Sequence, residues 1–99
     1  MRPTLHFEAA LATKPDADLH NAAAVSMLLL NEQEEALRHF SASLRIRADQ
    51  PLVHYNLGLL LQRLRRFEEA RLHLEQAIQL NPSDEDARTA AARLRALLP

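Results

Sequence analysis

Cysteine and tryptophan are missing from this 99-residue chain, glycine occurs once, and aromatic residues make up only 4%. Without cysteine there are no disulfides, thiolate metal sites or cysteine nucleophiles. One glycine and five prolines supply too little turn chemistry for many short strands. The formal net charge is −1, so no global field draws in nucleic acid or an anionic membrane. The longest apolar stretch, Ala22 to Leu30, is interrupted by Ser26 and is too short to span a bilayer. The opening MRPTLHFEAALATKPDAD lacks the unbroken apolar core of a signal peptide, so the expected compartment is the cytoplasm. What is plentiful is apolar side chain, at 47%, carried by Leu and Ala among Glu, Gln and Arg. These are good helix formers, and the chain reads as all-α.

A period organises it. Sliding the chain along itself by 34 residues sets Glu34-Glu35-Ala36 on Glu68-Glu69-Ala70, His20 on His54, Leu30 on Leu64 and His39 on His73. Two units follow, 17–50 and 51–84, each a pair of helices. In the second, Leu57, Leu60, Leu61 and Leu64 recur at helical spacing up to a break at Arg65-Arg66. Phe67, Ala70, Leu74, Ala77 and Ile78 then continue to Asn81-Pro82. The first repeats this plan with Ala23, Met27 and Leu30, a break at Asn31, then Ala36, Phe40, Ser43 and Leu44. Asn31 suits the left-handed residue that a short helix–helix link needs; Arg65 suits it less well. Asp49 before Pro51, and Ser83 before the acidic run Asp84-Glu85-Asp86, mark helix starts. A short amphipathic piece over 5–12 and a capping helix over 83–98 complete about six helices in a single domain over 1–99.

A helix–turn–helix period of 34 residues resembles the tetratricopeptide repeat. The second unit has Asn56-Leu57-Gly58, Leu61, Ala70, Leu74, Ala77 and Pro82 where that family places its packing residues. The first is looser, with Ala23-Ala24, Met27, Ala36, Phe40 and Ser43, and with Ala48 in place of the proline. His20 and His54 stand where the family often has Trp or another large apolar residue. The resemblance implies a right-handed α-solenoid of helix hairpins and a non-catalytic role in protein–protein interaction, with no cofactor. It also accounts for a glycine followed directly by three leucines. Gly58, Ala24, Ala36 and Ala70 let backbones approach, while the first helix of each hairpin packs on more than one neighbour and leaves Leu59 toward a concave surface.

By the same resemblance, that surface is lined by Asp18, Asn21, Val25, Leu28 and Leu29 in the first unit. Leu52, Tyr55, Leu59, Gln62 and Arg63 line it in the second, and Asp86, Thr89 and Arg93 on the last helix. A mainly apolar trough with a few hydrogen-bonding groups and two cations suits a peptide or helix of a partner protein. The alternative is a self-associating scaffold whose groove or end is covered by a second copy, or by the chain's own N-terminal segment. Some family members clamp a C-terminal carboxylate with Lys, Asn and Arg. The matching places here hold Asn21, Val25, Asn56, Asp86 and Ala90; only Asn56 fits, and Asp86 would repel a carboxylate.

Other constellations carry less. Glu35 with His39, and Glu69 with His73, lie four residues apart on one helix face, but neither pair completes a tetrahedral metal site. They read as solvated neighbours, with His20 and His54 as half-buried packing residues. Arg63, Arg65, Arg66 and Arg71 cluster at a turn beside Glu68 and Glu69 without aromatics for base stacking, which disfavours nucleic acid. The serines have no glycine elbow or base partner, so no enzyme is expected.

Overall fold

The computed structural model describes residues 16–98. Five α-helices follow in order: α1 Ala17–Leu29, α2 Gln33–Ile46, α3 Pro51–Arg63, α4 Phe67–Leu80 and α5 Glu85–Leu97. No strand occurs among the described residues. The helix expected over 5–12 lies outside them, which leaves five of the expected six on view. The chain divides between Ala48 and Asp49 into two compact units. α1 and α2 pack as one hairpin; α3 and α4 pack as another, with α5 against α4 and touching α3. None of the helices is long and apolar enough to cross a membrane.

The two hairpin links are built alike. After α1, Asn31 takes φ 60°; its N–H donates to the Leu28 carbonyl at 3.0 Å, and the Glu32 N–H donates to Met27 at 2.7 Å. After α3, Arg65 takes φ 62°, with Arg65 donating to Gln62 at 3.0 Å and Arg66 to Leu61 at 2.9 Å. Both are Schellman turns, which satisfy the last carbonyls of a helix through one left-handed residue. Arg65 therefore holds the conformation for which its sequence is poorly suited. Its guanidinium lies 5.4 Å over the Phe67 ring, a cation–π contact that offsets part of the backbone cost.

Helix starts differ in detail from the sequence expectation. Asp84, not Ser83, caps α5, its carboxylate accepting from Asp86 N at 3.0 Å and Ala87 N at 3.3 Å. The Ser83 hydroxyl donates instead to Asn81 Oδ1 at 3.0 Å. Gln50 rather than Asp49 precedes α3, with Pro51 at the first helical position, where its missing N–H costs nothing. At α1, Asp16 accepts from Asp18 N at 2.8 Å.

The first unit buries Ala17, Ala23, Ala24, Ala36, Phe40 and Ser43, so Phe40 is the one large side chain at its described centre. The second has a larger core of Val53, Leu57, Leu60, Leu61, Ala70, Leu74 and Ala77, extended by Ala87, Ala91 and Leu94 of α5. Gly58 sits at the closest approach of α3 and α4. A Cβ placed there would lie 2.7 Å from Leu74 Cγ, 2.9 Å from Leu74 Cδ2 and 3.3 Å from the Ala70 carbonyl oxygen. Leu74 is fully buried and has little room to retreat.

Two stability changes of opposite sign follow. Gly58→Ala gains about 1 kcal/mol of helix propensity, but overpacking against Leu74 costs roughly 1–3 kcal/mol. Thermal unfolding should therefore show a lowered midpoint, and Leu74→Ala should cost less in the Gly58→Ala background than alone; a raised midpoint would mean that Leu74 yields freely. Arg65→Gly removes a left-handed backbone cost of about 1–2 kcal/mol and loses a cation–π contact of about 0.5–1 kcal/mol. The midpoint should rise by a few degrees, and a fall would give the Phe67 contact the larger share.

Candidate functional site

Which residues face outward on α3 follows from which face inward. Leu57, Gly58, Leu60 and Leu61 are buried, so Tyr55, Leu59 and Gln62, spaced four and then three apart, are left on a second face of the helix. On α5, Ala87, Ala91 and Leu94 are buried, and Asp86, Thr89, Ala90 and Arg93 form the adjoining stripe. These two stripes meet: Tyr55, Leu59, Gln62, Asp86, Thr89, Ala90 and Arg93 line one open cavity of about 410 Å³.

The chemistry of this trough is mixed. Leu59 and Ala90 give it an apolar floor that is half-buried. Tyr55, Gln62, Asp86, Thr89 and Arg93 present polar side chains that make no hydrogen bond or ion pair within the described residues. At the start and middle of α4 the charged groups are engaged with one another. Arg66 holds Glu69 at 2.8 Å, and Arg71 holds Glu68 at 3.1 Å and Glu75 at 3.7 Å. Asp86 and Arg93 lie seven residues apart on α5, roughly 10 Å along its axis, so the trough carries opposite charges at its two ends. Another cavity, of about 370 Å³, lies along α4 and α5 among Arg71, Leu72, Glu75, Ile78, Ala91 and Arg95. Its Arg71 and Glu75 satisfy each other, which leaves it fewer open groups.

The remaining sequence-derived positions fall in three places. Leu52 is 67% exposed on α3, and Arg63 is exposed at that helix's end; neither lines the trough. Asn21, Val25, Leu28 and Leu29 belong to α1 in the other unit, with Val25 47% and Leu29 83% exposed. Asp18 is exposed and reaches Arg47 at 3.4 Å. Ala90, which the sequence marked only as a place matching the carboxylate clamp, also lines the trough, four residues from Asp86.

The histidines are arranged differently from the sequence expectation. His39 and His73 do not stand as solvated partners of Glu35 and Glu69, which bond Arg38 and Arg66 instead. Each crosses its hairpin to a second histidine: His20 Nδ1 to His39 Nδ1 at 3.1 Å, and His54 Nδ1 to His73 Nδ1 at 3.0 Å. Ring centroids are 5.3 and 5.2 Å apart, about the nitrogen–nitrogen distance plus two ring radii, so the rings meet edge to edge. That alignment fits one shared hydrogen. A tetrahedral metal would set two ligating nitrogens roughly 3.3 Å apart with their lone pairs converging on it rather than aimed at each other, and no group of three metal-ligating side chains occurs among the described residues.

Known proteins place this architecture. Family models match twice, one described as tetratricopeptide repeat over residues 51–84 and one as TPR repeat over residues 26–64. Together they span 26–84, more than half of the chain. A comparison with curated protein sequences finds no match. Among solved structures, the first TPR of Spaghetti (RPAP3), bound to the HSP90 peptide SRMEEVD, superposes with a TM-score of 0.84 at 16% identity, covering 93% of this chain and 74% of that one. The second TPR of the same protein, with the same peptide, gives 0.79 at 20% identity, covering 91% and 83%. The Yersinia enterocolitica type III secretion chaperone SycD, in complex with a peptide of the translocator YopD, gives 0.71 at 15% identity, covering 93% and 71%. At such identities the likeness is one of fold. With the 34-residue period, the helix hairpins and the paired family matches in agreement, the chain belongs to the tetratricopeptide repeat family.

Proposed function

We propose that this protein is a non-catalytic interaction module that binds a peptide segment or helix of a partner protein. The trough between α3 and α5 receives it. The observation that carries this reading is the set of five polar side chains around Leu59 that make no hydrogen bond or ion pair among the described residues. Unengaged donors and acceptors beside an apolar floor provide the register-fixing groups and the anchor that peptide recognition combines. The solved structures with this fold that carry bound peptides lend the reading support by analogy. Within the second unit, Leu52 and Arg63 are further proposed partner contacts; within the first unit, exposed Val25 and Leu29, with Asn21 and Leu28, are proposed contacts of its own.

The carboxylate clamp of some family members is disfavoured here. Asp86 sits in the trough beside Ala90, at the places matching that clamp, where a terminal carboxylate would meet repulsion; the trough's cation, Arg93, stands at its other end. Asp86 and Arg93 favour a segment with a basic group near one end and an acidic group near the other. An extended chain spans the distance between them in about three residues.

Selection from a displayed random-peptide library against the intact protein tests this reading. Selected peptides should carry an apolar anchor, and Leu59→Asp or Tyr55→Ala should weaken them by tenfold or more while leaving the thermal midpoint nearly unchanged. Recovery of no binder, or binders indifferent to both substitutions, would contradict it.

A further inference from the structure

The same edge-on histidine contact occurs in both hairpins, at the same pair of repeat positions, and the binding trough uses neither pair. One member lies on each helix: His20 on α1 and His39 on α2; His54 on α3 and His73 on α4. The contact is Nδ1 to Nδ1 in both cases, so one ring of each neutral pair donates from Nδ1–H and the other accepts on a bare Nδ1. Adding one proton preserves the bond, because an imidazolium still donates to the neutral ring. Adding a second leaves two N–H donors facing each other across 3.0–3.1 Å, with like charges and no acceptor between them.

We propose that the two histidine pairs form an acid-sensitive latch, holding each hairpin closed while at most one proton is added to a pair and releasing it when both rings are protonated. The surroundings fit that behaviour. His73 is held below the usual imidazole range, first by burial and then by His54, with Glu69 acting the other way. Glu69 is already bonded to Arg66. Among the described residues, α5 adds no charge that acts on His73. His20 is also held low, first by burial, then by His39 and by Arg45 of α2, against the opposing charge of Asp16. The sign is set by these directions. An unfolded histidine takes its proton near pH 6.5, whereas folded His20 and His73 take theirs at lower pH. The stabilisation is therefore complete above about pH 6.5 and is lost as pH falls through the folded values. Its repetition in both hairpins adds a second pair to the response, and reading it above about pH 5 keeps it clear of ordinary carboxylate titration.

Thermal unfolding of the full chain at pH 7.5 and 5.5 tests the latch against the His39→Asn/His73→Asn variant. Asparagine reaches about as far as Nδ1 and keeps a hydrogen-bonding group facing the remaining ring without adding a second charge. The unmodified protein should lose about 10 °C between the two pH values, and the variant less than half of that; equal losses would overturn the proposal. Should the variant fail to fold, the ring tautomers of the unmodified protein at pH 8 decide, read from two-bond and three-bond nitrogen–proton couplings. One Nδ1–H ring in each of the two pairs is expected. Four Nε2–H rings would mean that no shared hydrogen, and hence no latch, exists.

Discussion

The backbone of α3 runs so close to Leu74 that even a Cβ at position 58 would press on its side chain, and the packing of the second unit is built around that approach. A glycine in mid-helix costs about 1 kcal/mol relative to alanine. Here it lets Leu74 seat fully among the buried Leu57, Leu60, Leu61, Ala70 and Ala77. With α3 and α4 drawn together, α5 can lay Ala87, Ala91 and Leu94 against them. The first unit reaches its own close packing with alanine at the equivalent position, where Ala24 is fully buried, as is Ala36.

Once those inward positions are assigned, the surface of α3 is largely determined. A helix that buries Leu57, Leu60 and Leu61 must turn Tyr55, Leu59 and Gln62 elsewhere, and α5 supplies the opposite wall. The trough is thus a by-product of packing geometry, but its chemistry is not. Charged side chains along α4 bond one another, whereas Tyr55, Gln62, Asp86, Thr89 and Arg93 have no such partners. Fold stability does not explain why they stand together, and the proposed recognition of another chain would.

Much of this was legible in the sequence because it is periodic. The offset of 34 residues located both hairpins, and the lone glycine located the tightest contact. Buried positions such as Ala36, Phe40, Ala70 and Leu74 recur at helical spacing for the same reason. Features that depend on meetings between helices were not legible. The histidines recur at the repeat distance, but only packing reveals that His20 meets His39 and that His54 meets His73. Arg65 shows the limit of local preference: two helix-ending hydrogen bonds and the Phe67 ring hold it at φ 62°. The cap at Asp84 illustrates a near-degenerate choice, since Ser83 is an equally good capping residue by type. Its hydroxyl is taken by Asn81.

Peptide binding of the kind proposed requires the trough to be open in solution. The most direct measurement is molar mass by light scattering across a hundredfold range of concentration, with the unfolding midpoint taken at each point. A monomer of 11.2 kDa throughout, with a constant midpoint, is the result predicted for a module that keeps its apolar floor free for a partner. A dimer whose midpoint climbs with concentration would contradict it, because a second copy of the chain would then be the occupant.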